Sequence, residues 1–273
     1  MRIIAGEFRR RVLHAPKDAS ITRPIPDRVK ESLFSLLRGN CQGASVLDVF
    51  AGTGAIGLEA VSRGAARCVF VERDKRIADI LQRNIEELGC EDRCELVRSD
   101  ALGPATLARA PRPVTLAFFD PPFPIVLDPQ GWERLTRQFV RVIDMLSDDG
   151  FATLRTPWPL RHEEIVHADG RREWRSLLVG MQNRRERNMN ERRHPKQKGD
   201  REIEDRAWEG DDVDLEEIAA ETAREVEVAE ESADRVRAFE VVRHDVSVVF
   251  DNATGPETHV YGSQAVHLYM RKK

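Results

Sequence analysis

The sequence predicts an α/β fold in which a mostly parallel sheet has helices on both faces. Between residues 44 and 157, short apolar runs alternate with amphipathic segments, as in the β-α units that build such a sheet. The chain has 273 residues and is 41% hydrophobic, which is enough to bury one large α/β domain or two small ones. The expected strands are 44–50, 67–72, 94–100, 114–120 and 150–156.

The segments between these strands carry apolar residues at helical spacing, so helices would cover the sheet. Residues 28–37 also have the pattern of a helix, with Asp27 as a candidate N-cap. Two late apolar segments, 239–250 and 261–270, are expected to form a C-terminal antiparallel strand pair that closes the sheet, with a turn between them. The helical sets are Ile77, Ile80, Leu81, Ile85 and Leu88, and Leu135, Phe139, Val142, Ile143 and Leu146.

Charge and apolar content divide the chain into four parts. Residues 1–43 hold nine lysines and arginines against four acidic side chains, and are expected to form a basic N-terminal extension with an edge helix. Residues 44–180 are the expected α/β core, and residues 239–273 the strands that complete it. Residues 181–238 form a charged insert, expected to be flexible or a solvated helix because its low apolar content cannot build a core.

Several classes of protein are disfavoured. The first residues lack the apolar stretch of a secretory signal, and no run of about 18 apolar residues predicts a membrane span, so a cytoplasmic protein is expected. The cysteines lack a second cysteine or histidine pair at zinc spacing, so reduced structural thiols and no metal are expected. These cysteines are Cys41, Cys68, Cys90 and Cys94.

A glycine-rich loop follows the first predicted strand. Gly52, Gly54 and Gly57 form a G-x-G-x-x-G pattern between a strand and a helix, where glycine lets the backbone approach a ligand. Glu72 ends the next strand, where a carboxylate can accept hydrogen bonds from both hydroxyls of a ribose. These two features suit NAD and S-adenosylmethionine equally.

Two further acids favour S-adenosylmethionine. Asp48 stands at the tip of the first strand, where a carboxylate can receive the ammonium of a methionine moiety but would repel a pyrophosphate. Asp100, after the third strand, is placed to accept a hydrogen bond from an adenine amino group, although strand-end aspartates also cap helices. Because ligands of such sheets bind at the carboxyl ends of the strands, Asp48, Glu72, Asp100 and Asp120 are expected to surround one cleft.

The fourth predicted strand ends in LAFFDPPFPI, residues 116–125. Its Asp120-Pro-Pro-Phe123 tip, together with the loop from Asp48 to Gly54, resembles the S-adenosylmethionine-dependent methyltransferases that act on exocyclic amino nitrogens. More narrowly, the chain resembles the bacterial 16S ribosomal RNA guanine-N2-methyltransferases, and the most family-specific part is TRPIPDRVKE, residues 22–31. The segments that carry this resemblance are MRIIAG, TRPIPDRVKESLF, GLEAVSRGA, FFDPPF and VYGSQAVHLYM.

The resemblance implies a Rossmann-like class I methyltransferase fold with a seven-stranded sheet, in which the 44–180 core binds S-adenosylmethionine and yields S-adenosylhomocysteine. The acceptor would be a guanine N2 of small-subunit ribosomal RNA. Asp120 and the Pro121 carbonyl would each accept an N–H of the amine, Pro122 would stiffen the turn, and Phe123 would stack on the base. The implied cofactor-binding set is Asp48, Phe50, Ala51, Gly52, Thr53, Gly54, Glu72, Arg73, Asp100 and Ala101.

Basic side chains before the core are the candidate RNA contacts, because arginine and lysine bind phosphates irrespective of sequence. A solvated basic surface would look similar. The expected partner is small-subunit ribosomal RNA, or an assembling small subunit, bound by a monomer. The candidate residues are Arg2, Arg9, Arg10, Arg11, Arg23, Arg28 and Lys30.

Three other functions stay open on the sequence alone. An NAD-dependent oxidoreductase would use the glycine loop but would leave residues 120–123 without a role. A methyltransferase for DNA adenine N6 or a protein amide would share those residues but would not need the TRPIPDRVKE block. A non-catalytic RNA-binding protein on the same fold is disfavoured by the intact Asp120 and Phe123.

Overall fold

The computed structural model describes residues 1–16, 25–167, 169–174 and 239–273, and the charged insert at 181–238 lies outside these ranges. The described residues divide into two compact units. The first comprises Met1–Val126, Gln130–Trp158 and Ser247–Lys273, and the second comprises Leu127–Pro129 and Pro159–Val246.

The described residues form ten strands and six helices. The strands are β1 (Ser45–Asp48), β2 (Arg67–Val71), β3 (Cys94–Val97), β4 (Val114–Phe119), β5 (Leu146–Pro157), β6 (Arg161–His167), β7 (Arg172–Trp174), β8 (Phe239–Asp245), β9 (Ala253–Tyr261) and β10 (Gln264–Arg271). The helices are α1 (Asp27–Leu36), α2 (Gly57–Ser62), α3 (Lys75–Leu88), α4 (Pro104–Arg109), α5 (Phe123–Leu127) and α6 (Pro129–Ile143).

The first unit holds a seven-stranded sheet with the strand order β3-β2-β1-β4-β5-β10-β9. Strands β1 to β5 pair in parallel, whereas β10 is antiparallel to both β5 and β9. The predicted fold class is therefore confirmed. Since β1 and β4 are neighbours, with Asp48 in register with Phe118, residues that follow these two strands leave the sheet side by side.

Helices cover both faces of this sheet, because each contributes one apolar stripe to the core. One buried cluster joins α1, α2 and α3 to the sheet, and a second joins α6 to its opposite face. Helix α3 shows how individual residues determine where a helix begins and ends. It begins after Asp74, whose carboxylate accepts the N–H groups of Arg76 and Ile77, and it ends at Gly89 with a left-handed φ of 66°.

The second unit contains a three-stranded sheet in the order β7-β6-β8, with both pairs antiparallel. The sequence prediction for 239–250 was therefore wrong. This segment supplies β8, which pairs with β6 rather than closing the large sheet. The strand that closes the large sheet is β9, which includes the residues predicted to form a turn, and Gly255 there has a φ of 115°. Apolar alternation indicates a strand but does not specify its partner.

The N-terminus of α1 also differs from the prediction. Asp27 is the first helical residue and not the N-cap, a position taken by Pro26 without a side-chain hydrogen bond. The Asp27 carboxylate instead lies 3.6 Å from Nε of Arg2. In the described parts of the chain, no helix is long and apolar enough to cross a membrane.

Candidate active site

The glycine loop connects β1 to α2 and is shaped by contacts that only glycine permits. Gly52 and Gly54 have φ values of 54° and 87°, in the left-handed region that disfavours other residues. A Cβ atom on Gly57 would lie 2.3 Å from the Phe70 ring and 2.9 Å from Oδ2 of Asp48. The absence of a side chain at Gly57 therefore lets the loop backbone reach the strand-tip carboxylate.

Asp48 is a buried acceptor with unused capacity. Its side chain is buried, and Oδ2 accepts the Gly57 N–H at 2.9 Å. The other oxygen, Oδ1, is buried and accepts no hydrogen bond from the residues that the structure describes. Burial raises the pKa of Asp48 to about 7, against the effect of the Gly57 bond, and the charges of Asp120 and Glu72 add to the rise. A cationic donor at Oδ1 would satisfy the oxygen and favour the ionised carboxylate.

Glu72 follows β2 and ties the glycine loop to the start of α3. Its Oε2 accepts the Gly52 N–H at 3.0 Å, and its Oε1 accepts the Asp74 N–H at 2.7 Å. Burial raises the pKa of Glu72, and these backbone bonds oppose the rise. Each carboxylate oxygen has two lone pairs, so the bonds fix the orientation of Glu72 and leave acceptor capacity for ribose hydroxyls.

Asp100 lies beyond the end of β3, because that strand stops three residues earlier than predicted, at Val97. Its Oδ1 accepts the Leu102 N–H at 3.0 Å, and its Oδ2 lies 3.3 Å from Nη2 of Arg134. Asp100 thus caps a local turn and not the next helix, whose N-cap is Gly103, and its side chain stays exposed. The next residue, Ala101, is buried.

The other predicted cofactor residues lie on the same loops. Phe50 is half-buried and its ring lies 6.2 Å from the Phe119 ring, which fixes it beside the sheet. Ala51 and Thr53 are buried, and the Thr53 carbonyl accepts a hydrogen bond from Nδ2 of Asn84 at 2.9 Å. Arg73 is exposed.

The Asp120 to Phe123 tip follows β4 directly. Pro121 is buried and Pro122 exposed, and the Pro122 carbonyl accepts the Ile125 N–H at 2.9 Å. Phe123 is half-buried and begins the short helix α5. The tip is therefore a rigid strand-to-helix turn that leaves the Phe123 ring partly accessible.

The sequence analysis missed Arg155, which contacts this tip, and Gln264, which contacts Arg155. Nε of Arg155, on β5, donates to Oδ1 of Asp120, and Nη1 donates to Oε1 of Gln264 at 2.7 Å. The Arg155 guanidinium carbon also lies 5.0 Å from the centroid of the Phe123 ring. A charged residue within the otherwise apolar run of the fifth predicted strand was the available indication of this role.

The predicted RNA contacts do not all lie on the surface. Arg2, Arg9, Arg10, Arg11 and Arg28 are exposed, and the first three help to line a surface cavity of about 340 Å³. Arg23 lies outside the described residues. The prediction that Lys30 contacts RNA was wrong, because its side chain is fully buried. Its Nζ donates to the Arg2 carbonyl at 2.7 Å and lies 3.5 Å from Oε2 of Glu59.

Known proteins resemble the chain both in sequence and in fold. A family model described as "Conserved hypothetical protein 95" matches residues 1–167. The "Ribosomal RNA small subunit methyltransferase D" of Escherichia coli (strain K12) is 34% identical over 174 residues, which cover 61% of this chain and 85% of that protein. The chain belongs to the ribosomal RNA small subunit methyltransferase D family.

A second relative and one solved structure are also similar to the chain. The "Putative rRNA methyltransferase YlbH" of Bacillus subtilis (strain 168) is 36% identical over 156 residues, covering 55% of this chain and 79% of that protein. A solved structure, "Putative methyltransferase yhhF from Escherichia coli", is 22% identical with a TM-score of 0.57, covers 100% of this chain and 98% of its own, and has the same fold.

S-adenosylmethionine is the cofactor of this methyltransferase D family member, and the site fits it. The unsatisfied Oδ1 of Asp48 suits the ammonium of the methionine moiety, and Glu72 keeps acceptor capacity beside the glycine loop. A dinucleotide would place a pyrophosphate against Asp48, so the oxidoreductase alternative is set aside.

The raised pKa of Asp48 predicts a pH-dependent affinity for the cofactor product. Below pH 7 the buried carboxyl holds its proton, and an incoming ammonium must displace it, so S-adenosylhomocysteine should bind about tenfold more weakly at pH 6 than above pH 7. Calorimetry in buffers of different ionisation enthalpy would detect the released proton. By the same linkage, Asp48 lowers the stability of the unliganded protein as the pH rises from 3.8 to about 7.

Asp48→Asn is the control for this effect. The variant should bind S-adenosylhomocysteine more weakly than the wild type above pH 7 and should lose the dependence between pH 6 and about pH 7, since Asn does not titrate. An unchanged pH profile in the variant would assign the titration to another group.

Proposed function

We propose that the chain transfers a methyl group from S-adenosylmethionine to the exocyclic N2 of a guanine in small-subunit ribosomal RNA. The observation that carries the proposal is the arrangement of two strand tips. Asp48, with an unsatisfied buried oxygen, ends β1, and the Asp120 to Phe123 turn follows the adjacent strand β4. Membership of the methyltransferase D family supports the choice of RNA.

The exocyclic amine of guanine needs help to act as a nucleophile, because its lone pair is delocalised into the base. The Asp120 carboxylate can accept one N–H, and the Pro121 carbonyl can accept the other. Two such bonds would draw the nitrogen toward tetrahedral geometry and direct the lone pair. When bound, S-adenosylmethionine would supply an electrophilic methyl group, and its S–CH3 bond would break to leave S-adenosylhomocysteine. Alignment and the exclusion of water would then supply most of the rate.

The proton balance also involves Asp120. As the new N–C bond forms, the amine nitrogen gains positive charge and must release one of its protons. A carboxylate that already accepts that N–H can hold the proton or pass it to water. Phe123 would keep the base in place by stacking, which is worth about 1–3 kcal/mol for bases bound out of a helix. A guanine within folded RNA would have to leave its stack to reach this turn.

Basic residues of the N-terminal segment can hold the RNA backbone. Arg9 and Arg10 are exposed, and both contribute to the cavity that also contains Arg2. Arg28 lies on the exposed side of α1. Contacts of this kind bind phosphates irrespective of sequence and weaken with salt, so they would position the RNA while the turn selects the base.

Nucleoside analysis tests the proposed function. Ribosomal RNA from cells that lack the gene would be incubated with the protein and methyl-labelled S-adenosylmethionine, both as free RNA and as small subunits. After digestion, mass spectrometry should find N2-methylguanosine. RNA from wild-type cells is the control and should accept no label, because its target is already methylated. Label in adenosine, or in neither RNA substrate, would overturn the proposal.

A further inference from the structure

We propose that Arg155 is a positioning residue for methyl transfer. It holds the Asp120 carboxylate in the orientation that receives the amine and covers one face of Phe123, and Gln264 fixes Arg155 in turn. The inference deepens the proposed function and rests on it, since it assumes that Asp120 accepts an N–H of the target amine.

Three adjacent strands bring these groups together. Asp120 follows β4, Arg155 lies on β5, and Gln264 begins β10, where it is in register with Pro157. Arg155 uses two different nitrogens, Nε toward Asp120 and Nη1 toward Gln264. Because a guanidinium is planar and rigid, fixing two of its nitrogens fixes the plane of the group.

The contact restricts a carboxylate that would otherwise rotate. The last side-chain torsion of aspartate is broad, so an aspartate at a strand tip has no single orientation of its own. Arg155 engages Oδ1, and the side chains of both residues are only 12% exposed, so solvent screens the pair weakly. The pair thereby directs Oδ2 and leaves it to accept an N–H from the substrate.

Arg155 also limits where a base can stack. Its guanidinium carbon lies 5.0 Å from the Phe123 centroid, within the range of a cation–π contact. One face of the ring is thus covered, and a base would use the opposite face. Because Arg155 contacts both the Phe123 ring and the Asp120 carboxylate, it fixes the position of the stacked base relative to the oxygen that accepts its amine N–H.

Substitutions on both sides of the contact test the inference. Single-turnover methyl transfer would be measured at saturating RNA for Arg155→Gln, Arg155→Lys and Gln264→Leu. We expect Arg155→Gln to slow transfer about 10²-fold, the cost of a misplacement near 1 Å, with S-adenosylhomocysteine affinity changed less than about twofold. Arg155→Lys should rescue little, because one ammonium lacks the planar fork. Arg137→Gln, which breaks an exposed pair with Glu133, is the matched control.

Two further measurements separate positioning from a structural role. Gln264→Leu should slow transfer by itself and add nothing in the Arg155→Gln background, since Gln264 acts through Arg155. Added guanidinium at millimolar concentration should restore part of the rate of Arg155→Ala but none of the rate of Asp120→Ala.

Three results would overturn the inference. Wild-type rates in the Arg155 variants would remove the role, and faster transfer would mean that Arg155 blocks the base and must leave. Parallel losses of rate, cofactor affinity and melting temperature, without rescue by guanidinium, would mean a structural role. If the proposed function fails instead, the wild-type protein will methylate an amine other than guanine N2. The Arg155 variants would then be compared with the wild type on that amine.

Discussion

Asp120→Ala is expected to reduce methyl transfer at least about 10²-fold, comparable with the loss of one essential hydrogen-bonding group at other transition states. The variant loses the carboxylate that would accept an amine N–H, whereas Asp48, Glu72 and the glycine loop keep their own contacts. S-adenosylhomocysteine should therefore bind with an affinity within about twofold of the wild type. Single-turnover transfer and calorimetry would measure the two quantities separately.

Two further variants make the Asp120 result specific. Asp120→Asn keeps the size of the side chain and one acceptor oxygen but loses the charge, so its rate should fall between those of Asp120→Ala and the wild type. Asp79→Ala removes an exposed acid that pairs with Arg98 at 2.6 Å and should leave transfer unchanged. Retained transfer in Asp120→Ala would exclude Asp120 from the mechanism, and a parallel loss of cofactor binding would indicate a damaged site.

Three of the four strand-tip acids, Asp48, Glu72 and Asp120, could be located from the sequence, because the geometry of a parallel sheet is general. Strands that run in parallel end at one edge, so acids that end successive strands must lie near one another. The charges of Glu72 and Asp120 both act on the pKa of Asp48, which agrees with this expectation. The glycine spacing likewise predicted a position where the backbone approaches its neighbours too closely for a side chain, and Gly57 is such a position.

Arg155 and Gln264 could not be located in this way. They are 109 residues apart, and their contact depends on the antiparallel pairing of β5 with β10. No local pattern encodes that register. The error at 239–250 has the same origin, since alternation identified a strand whose partner, β6, is set by tertiary contacts.

Lys30 is a different case, because the sequence contained the relevant pattern. Positions 30, 33, 34 and 37 follow helical i, i+3, i+4 and i+7 spacing, which places Lys30 on the stripe that contains Leu33, Phe34 and Leu37. All four side chains are buried in the structure. The charge of Lys30 suggested an RNA contact, whereas its position in the helix predicts burial. The helical position is the better guide here.

Burial of Lys30 creates a charged anchor for the N-terminal segment. Lys30 and Glu59 both have fully buried side chains, and their charged atoms lie 3.5 Å apart. Glu59 also accepts the N–H groups of Ile4 and Ala5, at 2.7 and 3.0 Å, and Nε of Arg63 at 2.7 Å. One carboxylate on α2 thus satisfies two backbone donors and two cations, and it holds the segment that carries the basic residues against the core.

Glu59→Leu is therefore expected to lower the free energy of unfolding by about 3–5 kcal/mol, because it leaves Lys30 buried without its counter-charge. Chemical denaturation would measure the change. The double variant Lys30→Met, Glu59→Leu should recover part of the loss, since an apolar pair replaces the buried charges, although the Ile4 and Ala5 donors stay unsatisfied. Glu133→Gln, at an exposed pair with Arg137, should change stability by less than about 0.5 kcal/mol. A double variant no more stable than Glu59→Leu would show that the backbone donors, and not the buried lysine, account for the loss.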